Sequence, residues 1–185
     1  MSKPTALTID MINLLVLQAK HGNGDAFNML YTHFFMPMKR FAFVRVNDNM
    51  LAEDLVQNVW LKISKRIKTL NDITLFRSWL FKALKWEVSD WVKSSKNKIL
   101  TNNAHEDASD SQVADQALDM EQLMPILAAL PASEADVVEL HYLNGLSVNE
   151  TALALDVPVG TVKSRLSRAR ETLRTSIYGE FNNEL

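Results

Sequence analysis

VPVGTVKSRLSRARETLR, residues Val157 to Arg174, is the stretch on which the reading of this chain turns. Wound at about 100° per residue, Val162, Leu166, Ala169 and Leu173 fall within roughly 60° of one another. So narrow an apolar stripe packs one side of a helix and leaves the other in water. The wet side carries Lys163, Ser164, Arg165, Ser167, Arg168, Arg170 and Arg174, with Glu171 as its one acid. Five cations against one anion leave a net charge of about +4 on a single helix, and like charges one turn apart repel. An external polyanion relieves that repulsion, and duplex phosphate is the obvious candidate.

The preceding residues set how this helix is presented. Ser147-Val148-Asn149-Glu150 has the pattern of a capping box, in which the serine oxygen takes one orphan amide and the glutamate reaches back to another. It opens a short helix with Val148, Thr151, Ala152 and Leu155 on one face. Asp156-Val157-Pro158 ends that helix, because a residue before proline is pushed out of helical geometry. Proline at the start of the next helix gives up only an amide that has no partner there. A short helix, a tight turn and a longer basic helix make a helix-turn-helix, with the second helix offered to a major groove. The plainer reading, a basic solvated helix in an ordinary bundle, is set aside because capping, turn and charge all agree.

The 185 residues suffice for two small domains or one medium one. With no cysteine there is no disulfide framework, thiol nucleophile or thiolate metal site. His21, His33, His105 and His141 lack the i,i+4 partnering of a metal motif, so no metal and no cofactor is expected. No apolar run of about 18 residues occurs and the first residues lack a signal-peptide layout, so no membrane insertion and a cytoplasmic location are expected. The net charge of −2 taken alone argues against nucleic-acid binding, but its distribution argues the opposite. Trp60 to Lys98 holds ten cations and three acids, whereas Ile99 to Glu121 holds six acids and no Lys or Arg. The chain runs basic, acidic, basic.

The N-terminal half reads as helical throughout. Ile9, Ile12, Val16 and Ala19 recur at helical spacing, Gly22-Asn23-Gly24 ends that helix, and Asp25 is placed to cap the next. Phe27, Leu30, Tyr31 and Phe34 share a face before Pro37, where a kink or interruption is expected. After the Asn47-Asp48-Asn49 turn, Leu51, Leu55, Val59 and Ile63 define another helix. Beyond the polar loop Lys68 to Asp72, Thr74 is placed to cap a helix from Leu75 to Ser94. Trp60, Phe76, Trp79, Phe81, Trp86 and Trp91 are interleaved with the ten cations, the equipment with which proteins stack bases and track a single strand. Most of these rings are expected in the core, and Trp86 is the hardest to place there. Ser94 to Ala114 is polar and ends acidic, which predicts a flexible tether. A helix from Asp115 to Leu130 follows, bent or begun at Pro125; Pro131-Ala132-Ser133 is expected to cap Glu134 to Leu143, and Asn144-Gly145 to close it. The expected fold class is all-α: two small helical domains joined by a flexible acidic linker.

LPASEADVVELHYLNGLSVNETALALDVPVGTVKSRLSRARETLR, ending at Arg174, resembles region 4, the DNA-binding domain of the extracytoplasmic-function (ECF, group IV) RNA polymerase sigma factors. VPVGTVKSRLSRAR is close to that family's recognition-helix signature. Upstream, DAFNMLY followed by Pro37 and KRFA is similar to region 2.1, AEDLVQ (Ala52 to Gln57) to region 2.2, and FRSWLFKAL to regions 2.3 and 2.4. The resemblance spans residues about 8 to 95 and 117 to 178. It implies a region 2 domain over residues 1–95, a linker over 96–114 and a region 4 domain over 115–185.

The roles that follow are implied by the resemblance. Glu53, Asp54, Gln57 and Asn58 would dock on core RNA polymerase. Lys68, Asn71, Asp72, Arg77, Lys82 and Trp86 would engage and open the minus-ten element. Thr161, Lys163, Ser164, Ser167 and Arg168 would read the minus-thirty-five element in promoter DNA. An anti-sigma protein is the further partner implied, and no small-molecule substrate. Three positions depart from the family pattern: Asn58 stands where an acid is usual, Trp86 where an asparagine is common, and Ser167 where a bulky residue is frequent. The expected function is thus promoter selection as a polymerase subunit, with no catalytic residues of its own. A stand-alone helix-turn-helix regulator with a helical sensing domain is the alternative, and it predicts a homodimer on two half-sites. A small helical enzyme lacks support, since paired acids in a pocket, a phosphate loop and a metal motif are all missing.

Overall fold

The computed structural model describes residues 7–101, 125, 127 and 130–181, with side chains for 7–95, 125, 127 and 130–175. Among the described residues every regular element is helical. Helix α1 (Ile9–Lys20) is capped by Thr8, whose side chain accepts from the Met11 amide. Helix α2 (Gly24–Val46) is capped by Asn23 rather than Asp25. Asp25 falls instead in the first turn, where its charge meets the positive end of the helix.

Pro37 lies inside α2, which continues unbroken to Val46, against the expected interruption. An interior proline costs about 3 kcal/mol. Phe34, Met38 and Phe41 on either side are at most 4% exposed, and each such burial contributes roughly 1.5–3 kcal/mol. Packing therefore wins.

Asn47, left-handed at φ 51°, closes α2, and Asp48 caps α3 (Asn49–Arg66) by accepting from the Leu51 amide at 3.0 Å. Two 3₁₀ turns, Ile67–Thr69 and Ile73–Leu75, lead into α4 (Phe76–Thr101). Thr74 is a donor here, not the expected cap: its amide and hydroxyl both bond the Asp72 carboxylate, at 2.9 and 2.6 Å. The described helix α4 reaches Thr101, beyond the Ser94 at which the tether was expected to start. Neither Gly nor Pro occurs between Phe76 and Thr101, so nothing local breaks the helix. The rest of the expected linker, and the expected Asp115–Leu130 helix apart from residues 125, 127 and 130, lie outside the described residues.

Helix α5 (Ala132–Val138) starts at Pro131, whose carbonyl accepts from the amides of Glu134 and Ala135 at 2.8 and 3.0 Å. Ser133 therefore sits inside the first turn and caps nothing, contrary to expectation. A π turn, Glu139–Leu143, follows, and Gly145 at φ 62° supplies the expected left-handed residue. Helix α6 (Val148–Leu155) carries the anticipated capping box, with Glu150 N to Ser147 Oγ at 3.2 Å and Ser147 N to Glu150 Oε2 at 2.8 Å. Asp156, left-handed at φ 58°, turns the chain into α7 (Val159–Phe181). Ser147→Ala removes one arm of that box and is expected to cost about 1 kcal/mol. The shift in urea midpoint checks it, with Ser147→Thr retaining most of the stability.

The core of the first four helices centres on Leu30, Met38, Phe41, Ile63, Phe76, Phe81 and Leu84, all essentially buried. Rings meet edge to face, Phe41 on Phe81 at 5.9 Å and Phe27 on Trp60 at 5.5 Å. That accounts for most of the aromatics interleaved with cations: Trp60, Phe76 and Phe81 are core, and Trp79 and Trp91 are half-buried against it. Trp86 is the exception, 64% exposed.

The two halves pack together, α4 against α6, while α5 lies on α7. Arg45, near the end of α2, lies 3.3 Å over the Phe41 ring and pairs with Asp136 and with Glu139, the latter at 2.9 Å. Glu139 is wholly buried, and burial pushes its carboxyl above the ordinary range against the opposing pull of Arg45.

Candidate nucleic-acid interface

Helix α7 is positioned by its apolar stripe. Val162, Leu166 and Ala169 are 0–4% exposed, and the Pro158 carbonyl accepts from the amides of Thr161 and Val162 at 2.9 and 3.2 Å. Burying this stripe turns Lys163, Ser164, Ser167 and Arg168 to solvent, with Thr161 half-buried at the start. The Ser164 hydroxyl donates to the Thr161 carbonyl at 3.0 Å. Arg168 also serves the fold, because its Nε bonds Glu134 Oε1 at 3.0 Å and Glu134 is 6% exposed. This cation therefore anchors α7 to α5 while its side chain stays 59% exposed.

The residues expected at the minus-ten element divide into three groups. Lys68, Asn71 and Asp72 are exposed around the two 3₁₀ turns. Asp72 also builds the turn, and its bonds from the Thr74 hydroxyl and amide hold its carboxyl below the usual range. Arg77, expected on the DNA-facing surface, is instead 7% exposed. Its guanidinium donates to the Asn144 carbonyl at 2.7 Å and to Glu150 at 3.4 Å. Burial of the α4–α6 contact takes it out of the solvent in this conformation.

Lys82 is half-buried and donates to Asp156 at 2.9 Å. Lys85, which the sequence reading counted in the basic stretch but not in the site, donates to the Leu155 carbonyl at 2.7 Å. Burial lowers its ammonium below the ordinary value, with Arg165 and Arg45 adding to the effect and Asp136 and Asp156 opposing it. Trp86 stands at the edge of a cleft of about 290 Å³ shared with Lys85, Ser89, Lys93 and Asp156. An exposed indole beside cations is the geometry in which a base stacks and its phosphate is held.

A third surface lies on α3, where Asp54, Gln57 and Asn58 are exposed in a row. Glu53 is partly covered, pairing with Lys39 at 2.7 Å and accepting from Gln57 at 3.4 Å. Met50 and Leu61 are exposed at 76% and 61% on the same helix. An acidic and amide ridge with apolar ends suits a protein partner better than a polyanion. Among the described residues no group of three or more His, Asp or Glu could hold a metal ion, and no helix is long and apolar enough to cross a membrane.

Sequence reasoning missed the contact between the halves, made by Arg45, Asp136, Glu139, Asn144, Lys85 and the Leu155 carbonyl. One signal for it was present: Glu139 stands alone among Val137, Val138 and Leu140, and an acid inside an apolar run calls for a cation from elsewhere.

Residues 30–98 match the family described as Sigma-70 region 2, and residues 120–173 the family described as Sigma-70, region 4. The ECF RNA polymerase sigma factor BldN of Streptomyces coelicolor is 30% identical over 167 residues, covering 86% of this chain and 63% of its own length. An RNA polymerase sigma-E factor of Streptomyces avermitilis is 31% identical over 132 residues, 71% of this chain and 74% of its own. The chain spans 46% of the length of one curated relative and 63% of another. In fold it is similar to the sigma factor RpoE of Bartonella quintana, solved with the anti-sigma factor NepR. That TM-score is 0.70 at 23% identity, over 82% of this chain and 96% of that one.

Proposed function

Because the chain belongs to the ECF RNA polymerase sigma factors, we propose that it binds core RNA polymerase and directs promoter-specific transcription initiation in the cytoplasm, catalysing nothing itself. The observation that carries the reading is the face of α7: Val162, Leu166 and Ala169 are buried, which leaves Lys163, Ser164, Ser167 and Arg168 pointing outward behind a capped α6. On this reading residues 115–185 are the minus-thirty-five module. Lys163 and Arg168 hold phosphates and fix register, and Thr161, Ser164 and Ser167 meet base edges.

Residues 1–95 are the core-binding and minus-ten module. The exposed row Asp54, Gln57 and Asn58, with Glu53 beside it, docks on polymerase. Lys68, Asn71 and Asp72 in the turns, with Arg77, Lys82 and Trp86 on α4, engage the strand that is opened. Unstacking a base there costs a few kcal/mol, offset by stacking on an aromatic such as Trp86. Residues 99–119 alone separate the two matched segments, which supports placing the chain in group IV. Two weak contacts held by one polymerase gain through effective concentration, so a chain of net charge −2 needs no strong DNA affinity alone. An anti-sigma protein is the further partner we propose, as the Bartonella protein was solved with one.

The test is reconstituted transcription. Purified protein added to core polymerase is expected to start transcripts from specific genomic promoters that core alone ignores. No transcript from any site, together with no association with core, would overturn the reading.

A further inference from the structure

The cations of α4 that the proposed function assigns to the promoter strand are already occupied, and by the chain itself. Lys82 is bonded to the Asp156 carboxylate at 2.9 Å and Lys85 to the Leu155 carbonyl at 2.7 Å. Both acceptors sit at the C-terminal end of α6. There the last carbonyls of a helix lack intrahelical partners and the helix dipole is negative, and the left-handed turn at Asp156 adds a carboxylate. At the other end of α6, Glu150 and the Asn144 carbonyl take the Arg77 guanidinium. A carboxylate and a row of carbonyl oxygens facing lysines and an arginine reproduce the acceptor pattern of a nucleic-acid backbone.

The geometry points to α6 as an internal stand-in for the promoter strand: Asp156, the Leu155 carbonyl and Glu150 occupy Lys82, Lys85 and Arg77, so the free chain holds itself closed and its minus-ten surface is available only after α6 leaves α4. The inference rests on the proposed role of α4 and adds its regulation. It accounts for Arg77 being buried although its helix is assigned to DNA, because what covers it is the other half of the same chain. It also requires the contact to be reversible. The Lys82–Asp156 pair meets that condition, its side chains being 38% and 68% exposed; an ion pair so wetted is weak and screened by salt. A competing strand therefore need overcome only a modest barrier, and its apparent affinity is reduced by the fraction of chains that are closed.

The test is the double variant Asp156→Asn/Glu150→Gln. Asparagine tolerates the left-handed conformation and glutamine serves in a capping box, so the helix-turn-helix is kept while both carboxylates are neutralised. Binding of a fluorescein-labelled oligodeoxythymidine to the full chain is followed by anisotropy, and the separation of the halves by small-angle scattering. The variant Asp10→Asn/Asp25→Asn, which neutralises exposed acids at the starts of α1 and α2, carries the same change in charge away from the contact.

The closed state predicts that the first variant expands and binds the oligonucleotide roughly five- to tenfold tighter, while the control does neither. Equal tightening in the control, or no expansion of the first variant, would overturn the proposal. Expansion without tighter binding would overturn it too. In that case Lys82→Ala/Lys85→Ala in the expanded background separates the causes. Weakened binding leaves α4 as the strand-binding surface and removes only the competition, whereas unchanged binding removes the assignment of α4 as well.

Discussion

Phe41→Ala is expected to destabilise the chain by about 3–5 kcal/mol. The ring is fully buried, meets Phe81 edge to face at 5.9 Å, and carries the Arg45 guanidinium 3.3 Å above its face. Alanine leaves a void between α2 and α4 and also removes the platform on which Arg45 rests. Arg45 in turn pairs with Asp136 and with the wholly buried Glu139, so a defect in the first core reaches the contact between the halves. A loss of that size is a large part of a native stability of about 5–15 kcal/mol. Urea denaturation followed by circular dichroism checks it, with Phe41→Leu expected to lose about 1–2 kcal/mol because most of the volume is kept. Equal midpoints for the two variants would show that the site collapses around the smaller side chain and that the ring is not the organising contact.

The second large effect is on function. Lys163→Ala/Arg168→Ala is expected to lower promoter-dependent transcription with core polymerase by roughly tenfold to a hundredfold, and to reduce the salt dependence of promoter binding by about two phosphate contacts. The two side chains should separate when changed singly. Lys163 is exposed on the outer face of α7, so its loss is expected to weaken DNA binding while folding stability stays within about 0.5 kcal/mol. Arg168 also neutralises Glu134 at 3.0 Å. Its removal leaves a nearly buried carboxylate unpaired and is expected to cost about 1–3 kcal/mol of stability besides the DNA contact. Transcription and thermal midpoint measured on each single variant distinguish these. Unchanged output and promoter choice in the double variant would remove both residues from the reading role.

How far the site is legible in the sequence differs from one surface to another. The helix-turn-helix is legible because its determinants are local: the Ser147–Glu150 box, the proline at 158 and the 3.6-residue stripe of Val162, Leu166 and Ala169 act within a few residues of one another. The helix limits are less so. Pro37 in α2 is overruled by the burial of its neighbours, and the caps at Asn23 and Asp72 are easily mistaken for Asp25 and Thr74 because Asn, Asp and Thr compete for the same amides. Trp86 stands out in the sequence as the aromatic that does not fit the core, since the rest of α4's apolar residues already fill one helical face.

Local chemistry alone determined that this chain is helical, where its basic recognition helix begins, and which side of it faces outward, because caps, breakers and periodicity are short-range. Only the tertiary structure decided that Arg77, Lys82 and Lys85 end on the N-terminal flank and C-terminal end of α6, that Arg168 is shared with Glu134, and that a buried Glu139 waits for Arg45. Those pairings join residues 34 to 94 positions apart. A charge in a sequence states what it can bind, while the partner it meets is set by which helix faces are driven together when their apolar stripes leave water.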